Sequence, residues 1–350
     1  MEVGSVRYRS AVSAVLVVVG TTVTVVGEAY AHGPEPVVAA PNQTVAKDGS
    51  WAEVTAIDGR QVTVLIHSAA MGREVSVKVQ RPADTSVPRP SLYLVNGAGG
   101  GEDTATWEQH TDVVDFLASK DVNVVMPIGG AWSYYTDWRE PDPMLGVNKW
   151  RTFFLDELPA LVDAMFDTTG KNAIAANSMT ATSVLQLAIA RPGLFRSVAA
   201  YSGCAQISDP VGRQFVNVVV GTGGGDTSNM YGPPGDPAWV ANDPLVNAEG
   251  LRGTKLYVSN GNGLPGEFDT LGDPHLVTWG PVGLANQVVV GGVIEAATRW
   301  CTMNLERRLD DLDIPATFDL STQGTHSWGY WQKAFKNSWP LLAEGMEIPA

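Results

Sequence analysis

The sequence predicts an α/β protein: one central, mostly parallel sheet with helices on both faces. Three observations carry that prediction. Short apolar runs (SLYLVNG, VNVVMPIGG, NAIAAN, SVAAYSG and TKLYVSNGNG) recur through the chain, and each ends in glycine or asparagine. They are continuously apolar rather than alternating, as strands buried on both faces are. Longer stretches with helical periodicity separate most of them, and alternation of strand and helix builds a parallel sheet. No internal repeat and no composition break divides residues 51–350, which read as a single domain.

The elements follow in order. Residues 32–50, rich in Pro, Ala and Asn, read as a flexible leader. QVTVLIHSA and EVSVKVQRP alternate polar with apolar and predict an antiparallel hairpin ahead of the parallel run. Trp150, Phe153, Phe154, Leu158, Leu161 and Met165 share one face at a 3.6-residue period and predict a helix. Further helices are expected over 179–190, 283–310 and 328–345, with a last strand at ATFDL.

Bulk charge narrows the partners. The formal net charge is -14 and only 17% of residues are charged, a balance that argues against nucleic acid and against anionic lipid. At the N-terminus Arg7 and Arg9 precede an uncharged run from Ala11 to Val26, followed by Ala29-Tyr30-Ala31. A positive start, an apolar middle and a small-x-small end predict a signal peptide over 1–31. No second stretch is long enough to cross a bilayer, so the mature chain is expected outside the cytoplasm. In an oxidising compartment the two cysteines, Cys204 and Cys301, predict one disulfide. Neither sits in a C-x-x-C or Cys/His cluster, so no metal is expected, and no other cofactor.

Ala176-Asn177-Ser178-Met179-Thr180 forms the corner between an apolar strand and a helix. A serine there is either the nucleophile of an α/β-hydrolase elbow or an ordinary helix N-cap. A nucleophile needs a base and an orienting acid, in the chain order Ser, acid, His. Of the two histidines beyond Ser178, His326 lies in the loop between the last strand and the last helix, where the base of this fold belongs. His275, in a Gly/Pro-rich loop, reads as a surface residue. The acid stays open: Glu267, Asp269 and Asp273 occupy the usual loop, whereas Glu295, a lone glutamate on a helix, reads as a solvated residue. Two backbone amides complete the site as an oxyanion hole, Met179 after the nucleophile and Ala98 in YLVNGAGGGED. That glycine loop lacks the Gly-Lys-Ser/Thr of a phosphate cradle.

LYLVNG, VVMPIGGAWSYYTDW, KWRTFFLDELP, SMTATSVLQLAIARPGLF, MYGPPGDPAWVANDPLVN, GNG and GTHSWGYW resemble, in order, the antigen 85 mycolyltransferases and their corynebacterial relatives. The resemblance runs from about residue 90 to 345. It implies an α/β-hydrolase fold, secretion or cell-wall association, and transfer of a mycolyl group from trehalose monomycolate to a second trehalose monomycolate or to arabinogalactan. Diacylglycerol acyl transfer is implied as a side activity. By resemblance the nucleophile is Ser178, the base His326, the acid Glu295, the oxyanion donors Ala98 and Met179, and Trp328 lines the sugar site. The family's Asp and Arg that contact trehalose align with Asn96 and Gly99, a departure that bears on sugar specificity. Two alternatives remain: a secreted carboxylesterase of the esterase D type, and a non-catalytic cell-wall homologue binding a host matrix protein such as fibronectin. The aromatic segments 132–138 and 328–331 are expected to stack sugars. GTGGGDTSNMYGPPGDPAW and TWGPVGLANQVVV are expected to border an acyl groove.

Overall fold

The computed structural model describes residues 43–350, so residues 1–31, expected to be a signal peptide, and most of the expected leader lie outside the described residues. Among the described residues ten strands form one sheet: β1 (Thr44–Val45), β2 (Trp51–Asp58), β3 (Gln61–Ser68), β4 (Arg73–Gln80), β5 (Arg89–Val95), β6 (Asn123–Ile128), β7 (Thr168–Asn177), β8 (Phe195–Tyr201), β9 (Lys255–Asn260) and β10 (Thr317–Leu320). Their spatial order is β1-β2-β3-β4-β6-β5-β7-β8-β9-β10. The six strands from β6 to β10 in that order are mutually parallel. The four at the other edge are antiparallel, and β4 pairs antiparallel with β6. Each of the five apolar runs is one of the parallel strands, ATFDL supplies the sixth, and the alternating pair is the β3–β4 hairpin. Thr44–Val45, inside the stretch read as leader, pair with β2, so the sheet starts ahead of Trp51.

Both faces of the sheet are buried along its central parallel strands. On β7, Ile174 and Ala176 join one apolar layer with Phe153, Phe154, Leu158 and Val184. Ala173 and Ala175 join the other, with Phe335, Trp339 and Leu342. A strand apolar on both sides needs a helical layer on each, and the chain supplies them. Helices 150–166 and Met179–Ala190 cover the first face, and Trp328–Met346 the second.

Two helices are interrupted by wide π-type turns, at Phe153–Glu157 and Gln287–Gly291. The second sits inside a continuous helical stretch over 281–311. Helix Pro210–Thr222, capped by Asp209 whose side chain accepts from the Val211 and Gly212 amides, has no counterpart in the sequence expectations.

Candidate active site

In a parallel sheet every strand ends on the same edge, so the loops that follow converge there. The ends of β5, β7, β8 and β9, and the loop following β10, bring Asn96–Gly101, Ser178, Ser202, Asn260–Gly261 and His326 to that edge.

Ser178 turns the chain from β7 into helix Met179–Ala190 with φ 59° and ψ -130°. That is left-handed backbone which non-glycine residues avoid, and such strain costs of order 1–3 kcal/mol. It is held by the Ser178 amide donating to the Tyr201 carbonyl (2.8 Å) and by Thr180 Oγ1, which donates to the Asn177 and Asn96 carbonyls (2.6 and 2.8 Å). The Ser178 hydroxyl makes no capping bond. It lies 2.8 Å from His326 Nε2 instead.

His326 Nδ1 is 2.8 Å from Glu295 Oε2. Glu295 is 1% exposed, so a helix glutamate that the residue pattern assigned to solvent is buried beneath the histidine. Its other oxygen accepts from Ser202 Oγ (2.8 Å), Asn260 Nδ2 (2.9 Å) and the Gly261 amide (2.6 Å). A buried carboxylate is tolerated when it is this fully hydrogen-bonded. Trp331 closes the assembly: its Nε1 donates to Ser202 Oγ (3.0 Å), and its ring stands perpendicular to His326 at 4.9 Å between centroids. Ser202, Asn260 and Gly261 were not read from the sequence, and Trp331 was read only as part of the aromatic segment 328–331 expected to stack sugars. The signal was present for three of them, because each stands at or within one residue of the end of an apolar strand.

The other acids have different partners. Asp269 Oδ2 accepts from Tyr330 and the Gly266 amide, and Oδ1 from Thr325 and Gln287, which ties the loops around the histidine together. Asp273 accepts from the His275 amide and lies 2.7 Å from His275 Nδ1, while Glu267 pairs with Lys333 at 2.6 Å. His275 is not a surface residue as expected: its ring packs edge-on against Phe268 and its side chain is 13% exposed.

A cleft of about 320 Å³ opens over Ser178, lined by Gly97, Ala98, Trp132, Val290, Ile294 and His326 among others. Among the described residues, neither the Ala98 nor the Met179 amide donates to a protein acceptor. Gly100 explains why the loop is glycine-rich: at φ 63°, a Cβ there would lie 2.6 Å from the Gly129 carbonyl oxygen and 2.7 Å from the Ala131 nitrogen. The Ala98 carbonyl accepts from Trp132 (2.7 Å), which fixes the peptide unit immediately after the candidate oxyanion donor.

The aromatic expectations are corrected in part. Tyr134, Tyr135 and Trp138 are core residues, and within 132–138 only Trp132 lines the cleft. Trp328 also lines it, but its ring is covered by a stacked His110 (5.7 Å) and by edge contacts from Trp107 and Trp331. Asn96, expected at the sugar site, is buried and does not line the cleft; its Oδ1 accepts from the Trp107 amide at 3.0 Å. TWGPVGLANQVVV borders the cleft, whereas GTGGGDTSNMYGPPGDPAW contributes no lining residue.

Cys204 and Cys301 are joined as a disulfide. It bolts the loop after β8 to the helix that carries Glu295. Among the described residues no cluster of three or more His, Cys, Asp or Glu is arranged to hold a metal ion.

The Esterase family model matches residues 68–342. The diacylglycerol acyltransferase/mycolyltransferase Ag85A of Mycobacterium leprae is 31% identical over 287 residues, 80% of this chain and 81% of the relative. Ag85A of Mycobacterium tuberculosis is 32% identical over 275 residues, 76% of this chain and 75% of the relative. Among solved structures, MPT51 (FbpC1) of Mycobacterium tuberculosis superposes with a TM-score of 0.63 at 23% identity, over 80% of this chain and 96% of that one. An S-formylglutathione hydrolase from Agrobacterium tumefaciens gives 0.60 at 17%, over 87% and 98%. The last two are likenesses of fold, and that fold is the α/β-hydrolase one. With a family match across most of its length and relatives above 30% identity, the chain belongs to the esterase family, in the group of the antigen 85 acyltransferases.

Proposed function

We propose that the chain is a secreted serine acyltransferase that moves a mycolyl group from trehalose monomycolate to a second trehalose monomycolate or to cell-wall arabinogalactan. The observation that carries this reading is the unbroken hydrogen-bonded line from Ser178 Oγ through His326 to Glu295, both links at 2.8 Å. His326 Nε2 takes the Ser178 proton as the hydroxyl attacks the ester carbonyl. Glu295 accepts from Nδ1, holds the tautomer that leaves Nε2 basic, and stabilises the imidazolium that forms. The Ala98 and Met179 amides receive the developing oxyanion, each such donor lowering the barrier by about 3 kcal/mol. His326 then returns its proton to the departing sugar hydroxyl. In the second half, a sugar hydroxyl loses its proton to His326, attacks the Ser178 ester and leaves as the new ester, regenerating the serine. Transfer outruns hydrolysis only when the acceptor is held in place and water is kept out. The apolar side of the cleft, with Val290, Ile294 and Trp132, supports that exclusion.

A second reading, hydrolysis of simple esters in the manner of esterase D, is favoured by one observation. Asn96 is buried against Trp107 and Gly99 has no side chain, so neither position offers the sugar contacts that the resemblance implies. Incubation of purified protein with trehalose monomycolate separates the readings. Acyl transfer gives trehalose dimycolate as the main product, and Ser178→Ala should lose at least about 10³-fold in rate. Free mycolic acid as the main product supports the esterase, and equal product from both proteins removes Ser178 from the mechanism.

A further inference from the structure

We propose that the segment over 274–294 is a docking face for a lipid layer of no net charge, and that it seats the Ser178 cleft against that layer. From Pro274 to Ile294 the chain contains no Asp, Glu, Lys or Arg, although its formal net charge is -14. The same segment is unusually bare. Of the 21 large apolar side chains exposed among the described residues, seven fall within 277–294. Trp279, Val282, Val289 and Val293 are 68%, 79%, 64% and 69% exposed. Singly exposed apolar residues are ordinary on a protein surface, but a concentration of them marks a contact.

Continuity with the active site says what the contact is for. Val277, Val290 and Ile294 belong to the same exposed segment and also line the Ser178 cleft, so patch and cleft share a wall. The wall meets the catalytic loop directly, because the His326 amide donates to the Gly291 carbonyl at 3.2 Å. An acyl chain drawn from a lipid layer would therefore meet the apolar side chains of Val277, Val290 and Ile294 on its way to the serine.

Charge selects the layer. A protein carrying -14 with no Lys or Arg in its docking face is repelled by anionic headgroups and gains nothing at contact. Apolar side chains with an exposed tryptophan suit insertion at a lipid–water boundary. The proposal rests on the acyl-transfer reading only for what is delivered; the docking itself does not need it.

The test is co-sedimentation of the full chain with phosphatidylcholine vesicles and with vesicles containing phosphatidylglycerol. The double variant Val282→Glu/Val289→Glu is compared with Ile57→Glu, an exposed position on β2. All proteins share residues 1–42, so differences report the face alone. The double variant should bind phosphatidylcholine at least tenfold more weakly, while Ile57→Glu matches the unaltered chain. The neutral pair Val282→Gln/Val289→Gln should lose binding to a smaller degree, which separates lost apolarity from added charge. Hydrolysis of a water-soluble short-chain nitrophenyl ester should stay within twofold for all, showing that the fold and cleft are intact. Equal binding by the double variant overturns the proposal, as does preference of the unaltered chain for phosphatidylglycerol. So does a dimer in sedimentation velocity that the double variant dissolves, since a second copy would then cover the face. Ser178→Ala should bind vesicles as the unaltered chain does whatever the transfer assay returns, so the two readings fail separately.

Discussion

Glu295 divides its two oxygens between two tasks. Oε1 is saturated by Ser202, Asn260 and Gly261, and only Oε2 faces His326. This asymmetry makes a sharp prediction for Glu295→Gln. Three donors would claim the amide oxygen, leaving the NH₂ to point at Nδ1. A donor there forces the histidine into the tautomer with its proton on Nε2, which cannot accept from Ser178. Activity should fall by about 10⁴-fold at neutral pH with the thermal transition little changed; steady-state kinetics beside a melting curve checks both. Ser178 itself was legible as a residue, since the apolar strand and helix around it mark the corner. The pattern left open cap against nucleophile; the structure has Ser178 at φ 59° with no capping bond and its hydroxyl directed to the histidine. Glu295 was legible only through the family resemblance. Its three neutral donors come from distant strand ends, and no local pattern announces a buried acid.

At the scale of elements, strand ends and wide helical turns shape the site. The π-type turn at Gln287–Gly291 adds a residue to a turn, so positions beyond it are rotated by roughly 100° from an uninterrupted helix. A single 3.6-residue period laid over 283–310 therefore misjudges which residues face inward, and Glu295 lies four residues past the turn. The strands were easier to read because both faces are buried, which leaves their apolar runs unbroken; helix Pro210–Thr222 was missed amid glycine-rich sequence. The helix bearing Glu295 is pinned by the Cys204–Cys301 bridge across a sequence separation of 97. A bridge closing so long a loop typically stabilises by about 2–4 kcal/mol through the unfolded chain. The Cys204→Ser/Cys301→Ser variant should lose that much in urea unfolding, and should lose activity on heating before the sheet melts. Unaltered stability would show that helix packing alone holds Glu295.

For the molecule as a whole, a parallel sheet gathers at one edge residues that are far apart in the chain: the glycine loop after β5, the serine after β7, the acid's donors after β8 and β9, and the histidine after β10. The architecture and its site edge follow from the order of apolar runs. Substrate contacts do not: Asn96, Tyr134, Tyr135 and Trp138 look like binding residues in sequence but are taken up by packing, whereas Trp132 and Trp328 line the cleft. Among the described residues no helix is long and apolar enough to cross a membrane. Intact-protein mass spectrometry, after brief exposure to an acyl-trehalose donor and acid quenching, reads the acyl-enzyme itself. One added acyl group is expected, mapped by peptide digestion to Ser178 and absent from Ser178→Ala. An unmodified chain during active turnover, or an acyl group on any other residue, would contradict it.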